Sequence, residues 1–222
     1  MAGKITALRV QKKNKQRVNV YLDDRFAFGV AAIEAAKLHR GQYLSDEEIA
    51  HLQEQDTRET AYERALAFLS YRPRSKAEVR RYLQEKQVPP AVQEEVIARL
   101  TRVGLLDDYA FARYWVENRE QFKPRGVYAL RGELRKQGLS DDVIASALEN
   151  LDSEDSAYRA AQQRVARWRH LDYQPFRQKL GAYLRRRGFA FETVEAVVNR
   201  VWQEIQAERE HRHGEREVTG WE

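Results

Sequence analysis

The chain has 222 residues, 42% apolar and 33% charged, with a formal net charge of +5. The charged share is well above the usual quarter, which suits thin modules with much surface better than one thick globule. Cysteine is absent, which excludes disulfides, thiol chemistry and cysteine-built zinc sites. No apolar run is long enough to span a bilayer and no signal-peptide core opens the chain, so a cytoplasmic protein without a membrane contact is expected.

The first elements read as strands. Ile5, Ala7, Arg9 and Gln11 alternate with Thr6, Leu8 and Val10, and a cationic stretch, 12–17, breaks the pattern as a turn would. Val18, Val20 and Leu22 alternate again before Asp23-Asp24, which turns the chain into Arg25–Phe28. Period-two alternation around short turns predicts a meander of two or three strands. Asp-Asp is a poor hairpin turn, because its second residue must tolerate positive φ. Residues 31–38 look helical, and Ser45 with Glu48 forms a capping box that starts a helix through about Gln55. These elements make a small β-hairpin/α module over 1–56.

Beyond this module the chain repeats itself. Tyr71–Leu100 lies over Phe122–Leu151 at an offset of 51, so that Tyr71-Arg72-Pro73-Arg74 matches Phe122-Lys123-Pro124-Arg125 and Leu83 matches Leu134. A looser third copy lies at a further offset of 50, where Leu134 and Gly138 match Leu184 and Gly188. Repeats of this length are stacked supersecondary units, each too small to bury its own apolar face alone. Helices are predicted at 57–69, from Ser75 onward, and after Pro89-Pro90, then at 107–121, 126–137 and 140–151, and finally at 153–170, 175–187 and 191–207. Pro73 ends the first of these helices, and Gly138 and Gly188 supply left-handed C-caps. The expected fold class is mainly α, a tandem array of three three-helix repeats (57–106, 107–152 and 153–207) behind the N-terminal module. The polar stretch 208–222 is expected to lack structure.

Charge is distributed unevenly. Residues 57–106 and 153–207 each carry 10 basic and 6 acidic side chains, while 107–152 carries 7 and 9. This pattern could steer the chain to a polyanion or an acidic protein surface, although most such charges solvate helix faces. No phosphate-binding glycine motif or nucleophile elbow is present. Asp107-Asp108 opens a helix, where negative charge meets the positive end of the dipole. His211 and His213 have no third ligand. No enzyme, cofactor or metal is indicated. Phe111, Tyr114, Trp115, Trp168 and Trp202 fall at helical spacing beside leucine and alanine, which favours core positions over base stacking. The candidate partner-binding residues are the basic groups Arg72, Arg74, Lys123 and Arg125 in the two proline turns, and Arg185, Arg186 and Arg187 at the end of a helix. Partner contact and helix capping are equally open for the turns. For the arginine triplet, stabilisation of the helix C-terminus is the stronger reading.

The run Leu69–Ser75 with Glu78, Tyr82 and Leu83 resembles the first-repeat signature of the RecX family of bacterial recombination regulators. Gly104–Ala110 is similar to that family's junction between repeats, and Glu133–Leu139 to its second repeat. The resemblance covers about 57–205, and the strand module looks like the extension some members carry. Gln87 and Asp24 stand where glycine is common. The resemblance implies an elongated, curved array that binds the RecA recombinase filament in its groove and inhibits its ATP hydrolysis and strand exchange, with no cofactor. Direct contact with single-stranded DNA is the alternative, and nothing calls for more than a monomer.

Overall fold

The computed structural model describes residues 2–12 and 14–218, with side chains described through His211. The chain divides into two compact units, 1–106 and 107–222.

In the first unit, β1 (Gly3–Val10), β2 (Arg17–Leu22) and β3 (Arg25–Ala31) form an antiparallel meander. A two-residue strand that the sequence did not announce, β4 (Tyr43–Leu44), adds to the other edge of β1 and gives the order β3-β2-β1-β4. Asp23 and Asp24 both adopt positive φ, 45° and 64°, as a two-residue turn matched to strand twist requires. The unfavourable conformation is held by side chains. The Asp24 N–H donates to Thr6 Oγ1 at 3.0 Å, and Asp23 Oδ1 accepts from the Lys4 N–H at 3.2 Å. Ile5, Val18, Val20, Leu22, Phe28 and Val30 bury one face beneath the short helix α1 (Ala32–Ala35) and Ile49 of the next helix, α2 (Asp46–Leu69).

Helix α2 replaces the two helices expected on either side of residue 56. It runs unbroken from Asp46 to Leu69, 24 residues, because no glycine or proline lies between its ends and the Ser45–Glu48 capping box fixes only its start. Its first turns close the sheet's core, and Ala61 and Ala65 enter the core of the first repeat. Arg17 at the start of β2 ties the two halves, donating to Asp56 Oδ2 at 2.7 Å and Thr60 Oγ1 at 2.8 Å. The first repeat is completed by α3 (Lys76–Glu85) and α4 (Pro90–Arg102).

The second unit holds two repeats, each with its own core. Helices α5 (Asp108–Phe122), α6 (Val127–Lys136) and α7 (Asp141–Leu148) form one. The other consists of α8 (Ser153–Gln162), α9 (Tyr173–Arg186) and α10 (Phe191–Val218). The predicted 153–170 helix stops at Gln162, and a 3-10 turn, Val165–Arg167, comes after it. Residues three apart eclipse in that geometry, which sets Val165 and Trp168 together against the core. The segment expected to lack structure from residue 208 is helical through Val218. Ile205 is buried, Arg209 donates to the carbonyls of Arg169 and Leu171, and its guanidinium lies 5.4 Å from the Trp202 ring centre. Those contacts carry the helix past 208, and residues 219–222 lie outside the described residues.

The second helix of each repeat ends in the same way. The residue after the cap is left-handed, with φ of 57° at Gln87, 80° at Gly138 and 84° at Gly188. The next N–H then reaches back to a leucine carbonyl: Val88 to Leu83, Leu139 to Leu134, and Phe189 to Leu184. This is the Schellman pattern with its accompanying apolar contact. All six of those side chains are buried.

Left-handed backbone costs a β-carbon-bearing residue about 1–2 kcal/mol, partly offset by the extra freedom glycine has when unfolded. Gln87→Gly is therefore expected to stabilise the first unit by up to about 1 kcal/mol, read as a rise in its denaturation midpoint at unchanged slope.

Candidate partner-binding site

The candidate basic residues fall into two groups, one in each unit. In the first proline turn, Arg72 grips Glu78 with both guanidinium nitrogens, Nη2 to Oε1 at 2.6 Å and Nη1 to Oε2 at 3.3 Å, and also donates to the Pro73 carbonyl. Arg74 lies 3.9 Å from the centre of the Phe68 ring and approaches Glu78 Oε1 at 3.4 Å. Phe68 in turn stacks flat on Tyr82, centroids 4.2 Å apart. Glu78 meanwhile accepts the Ser75 N–H in a reciprocal capping box. Both arginines are thus engaged in fixing the start of α3, the capping alternative for this turn. Burial pushes the Glu78 carboxyl up, but hydrogen bonds from Arg72 and the Ser75 N–H and the charges of Arg72 and Arg74 outweigh it, leaving the group below its ordinary 4.5.

The second turn is built otherwise. The position equivalent to Glu78 is Ala129, and α6 starts at Gly126 without any side-chain cap. The carboxylate sits one turn further on, at Glu133. It receives Arg125 Nη1 at 3.0 Å, Arg119 Nε at 2.7 Å and Trp115 Nε1 at 2.7 Å. Arg119 and Glu133 occupy the places of Phe68 and Tyr82, so an ion pair replaces an aromatic stack between the same two helices. Lys123 has no equivalent partner and is exposed.

Arg187 joins this turn to the third repeat. Its Nη1 donates to the Pro124 carbonyl at 2.6 Å, and its own carbonyl accepts the Gly126 N–H at 3.0 Å. The backbones cross so closely that a Cβ at Gly126 would overlap the Gly188 carbonyl, and one at Gly188 would meet Ala129 at 2.5 Å. Both positions therefore need glycine. Arg185 and Arg186, in the last turn of α9, stay exposed beside this clamp. The structure thus joins the turn that carries Lys123 and Arg125 to the helix end that carries Arg185–Arg187, while Arg72 and Arg74 belong to the first unit.

Three exposed aromatic residues belong with these turns and were not singled out by sequence pattern. Tyr71 is 84% exposed, Phe122 60% and Tyr128 70%. The signal was available, since Tyr71 and Phe122 are equivalent in the repeat alignment and each precedes a basic residue and a proline. Of the five aromatic residues expected in the core, Phe111 is buried and Trp115, Trp168 and Trp202 pack partly buried against the repeat cores, whereas Tyr114 is exposed. Asp107 caps α5, accepting the N–H groups of Tyr109 and Ala110. His211 lies on α10 and is exposed, and the side chain of His213 lies outside those described.

Four family profiles match the chain in order. They are the Regulatory protein RecX N-terminal domain at 3–45 and the first, second and third RecX three-helix domains at 61–100, 107–148 and 152–198. The Regulatory protein RecX of Bacillus subtilis (strain 168) is 35% identical over 202 residues, covering 89% of this chain and 76% of that protein. The chain belongs to the RecX family. The Regulatory protein RecX of Leuconostoc mesenteroides is 33% identical over a similar span, 89% of this chain and 76% of that protein. A crystal structure of regulatory protein RecX superposes with a TM-score of 0.69 at 28% identity, covering 90% of this chain and all of that one. RecX from Lactobacillus salivarius shares the fold, with a TM-score of 0.61 at 22% identity over 69% of this chain and 99% of that one. The RecX profiles leave 46–60 unmatched, a stretch inside α2.

The Gly126–Gly188 crossing makes a sharp demand. Gly126→Ala is expected to lower the stability of the second unit by about 1–3 kcal/mol or more, as overpacking does, seen as a fall in its thermal midpoint. Glu78, whose folded pKa lies below its unfolded value, contributes stability that is present above pH 4.5 and is lost as pH falls through the folded value. In Glu78→Gln, the loss of stability between neutral pH and about pH 3 should be smaller than in the wild type, as measured by urea denaturation at each pH.

Proposed function

We propose that this protein is a non-enzymatic regulator that binds the RecA recombinase filament and inhibits its ATP hydrolysis and strand exchange in recombinational DNA repair. Membership of the RecX family, with all four of its domains in order, is the observation that carries this reading. It acts as a cytoplasmic monomer without a cofactor; no helix among the described residues is long and apolar enough to cross a membrane.

The mechanism needs no pocket. A filament must rearrange its subunits to turn over ATP, and a ligand that prefers one arrangement shifts the population toward it. Rigid turns with exposed aromatic rings and flanking cations suit such a contact, because tyrosine and arginine dominate interface energetics. Tyr71 and Phe122 present that chemistry at equivalent places in successive repeats.

Competition for single-stranded DNA is the second reading, favoured by the excess of four cations in 57–106 and again in 153–207. Pairing weakens it in the first of these. Arg58, Arg72, Arg74, Arg80 and Arg99 all form ion pairs there, which leaves fewer charges to displace phosphate counterions.

Titrating the protein into a RecA ATPase assay on single-stranded DNA distinguishes the two. Inhibition at substoichiometric protein that survives a DNA excess is expected. Inhibition relieved by the excess would place the action on the strand, and none at all would reject the regulatory role.

A further inference from the structure

The two segments that meet at the Arg187 clamp carry no carboxylate side chain. Residues 121–132 contain Lys123, Arg125 and Arg131 and no acid, and residues 173–191 contain Arg177, Lys179 and Arg185–Arg187 and no acid. Some of these charges are engaged. Arg125 pairs with Glu133, Arg177 with Glu195, and Arg187 holds the Pro124 carbonyl. Lys123, Arg185 and Arg186 are exposed and stand in the turn and the helix end that the clamp joins. The exposed rings of Phe122 and Tyr128 belong to the same turn and to the first turn of α6. The equivalent turn of the first repeat is different, because Glu78 pairs with both of its arginines there.

We infer that the seam between the second and third repeats, centred on Lys123, Arg185 and Arg186 and flanked by Phe122 and Tyr128, is the surface that docks on an acidic, partly apolar face of the protein filament. This rests on the regulatory reading above and names which part of the chain makes the contact. The occupant is a protein face rather than a nucleic-acid strand for an electrostatic reason. Residues 107–207 hold 17 basic and 15 acidic side chains, so the excess is only +2. Charges further than a Debye length of about 8–10 Å are screened, and a strand several nucleotides long would run beyond the patch onto a surface of nearly balanced charge. A compact epitope with an acidic centre and an apolar margin matches the patch in both charge and extent.

The experiment measures binding of the full chain to RecA filaments preassembled on single-stranded DNA, and separately to the bare strand. The variant Lys123→Glu/Arg185→Glu/Arg186→Glu is expected to bind the filament at least about tenfold more weakly, because like charges placed across an interface repel. Lys123→Gln/Arg185→Gln, which introduces no repulsion, should lose roughly threefold, and Phe122→Ala a similar amount, as truncated interface residues do. Binding to the bare strand should be unchanged throughout, and circular dichroism checks that each variant stays folded. Should the charge-reversed chain unfold, the glutamine variant alone decides. Filament affinity indistinguishable from wild type would overturn the inference while leaving the regulatory reading intact. Equal losses on filament and bare strand would make nucleic acid the occupant and overturn it as well. Failure of the wild type to bind filaments would reject the regulatory reading, and the inference with it.

Discussion

Each repeat depends on a reversal of the chain after its second helix, and that reversal requires one residue with positive φ. Gln87, Gly138 and Gly188 supply it. The reversal returns the next N–H to a buried leucine's carbonyl and drops an apolar side chain into the core beside that leucine. A helix ended in this way satisfies carbonyls that would otherwise face the interior unpaired. It also aims the third helix back across the first two, so that Leu83, Leu134 and Leu184 are fully enclosed. In the third repeat the same residue has a second role, because Gly188 is also where the backbone of the second repeat crosses. A single conformational constraint thereby sets both the closure of one repeat and its registry with its neighbour.

Equivalent positions in the repeats need not hold the same chemistry. Phe68 and Tyr82 stack where Arg119 and Glu133 form an ion pair, and Trp115 adds its indole N–H to that carboxylate. Both solutions fill the cleft between a first and a second helix. Their electrostatic consequences differ. An aromatic stack leaves Arg74 to lie over Phe68, whereas the Glu133 carboxylate pairs with Arg125 and leaves Lys123 without a counter-charge. Function in such an array can therefore differ from repeat to repeat while the backbone stays the same.

Much of this was legible in the sequence, for local reasons. Ser45 with Glu48 and Ser75 with Glu78 declare helix starts within four residues, Asp107 declares another, and Gly138 and Gly188 declare stops. The fold class and the three repeats came from these signals and from the leucine spacing. Continuity was harder to see. The α2 pattern weakens near residue 56 because the helix changes the core it faces, and a change of face resembles a break. The third repeat's 3-10 turn and the helix beyond residue 208 depend on Trp168, Arg209 and Trp202 finding partners far along the chain, which no local pattern records. The site was half visible. The basic turns stood out, but the convergence of Arg72 and Arg74 on Glu78, and of Arg187 on Pro124, emerges only when the folded segments are placed together.

Helix α2 has a consequence for how such a chain can be rearranged in evolution. It is about 36 Å long at 1.5 Å per residue, and its two ends belong to two different cores. A cut at residue 56 would leave Ile49 with the sheet and Ala61 and Ala65 with the first repeat, but it would shorten the helix in each and sever Arg17 from Thr60. The passage from Leu106 to Asp107 carries no such shared element. Gain or loss of the strand module within this architecture therefore calls for a new start to the first repeat's long helix, whereas a break between Arg102 and Asp108 cuts no helix.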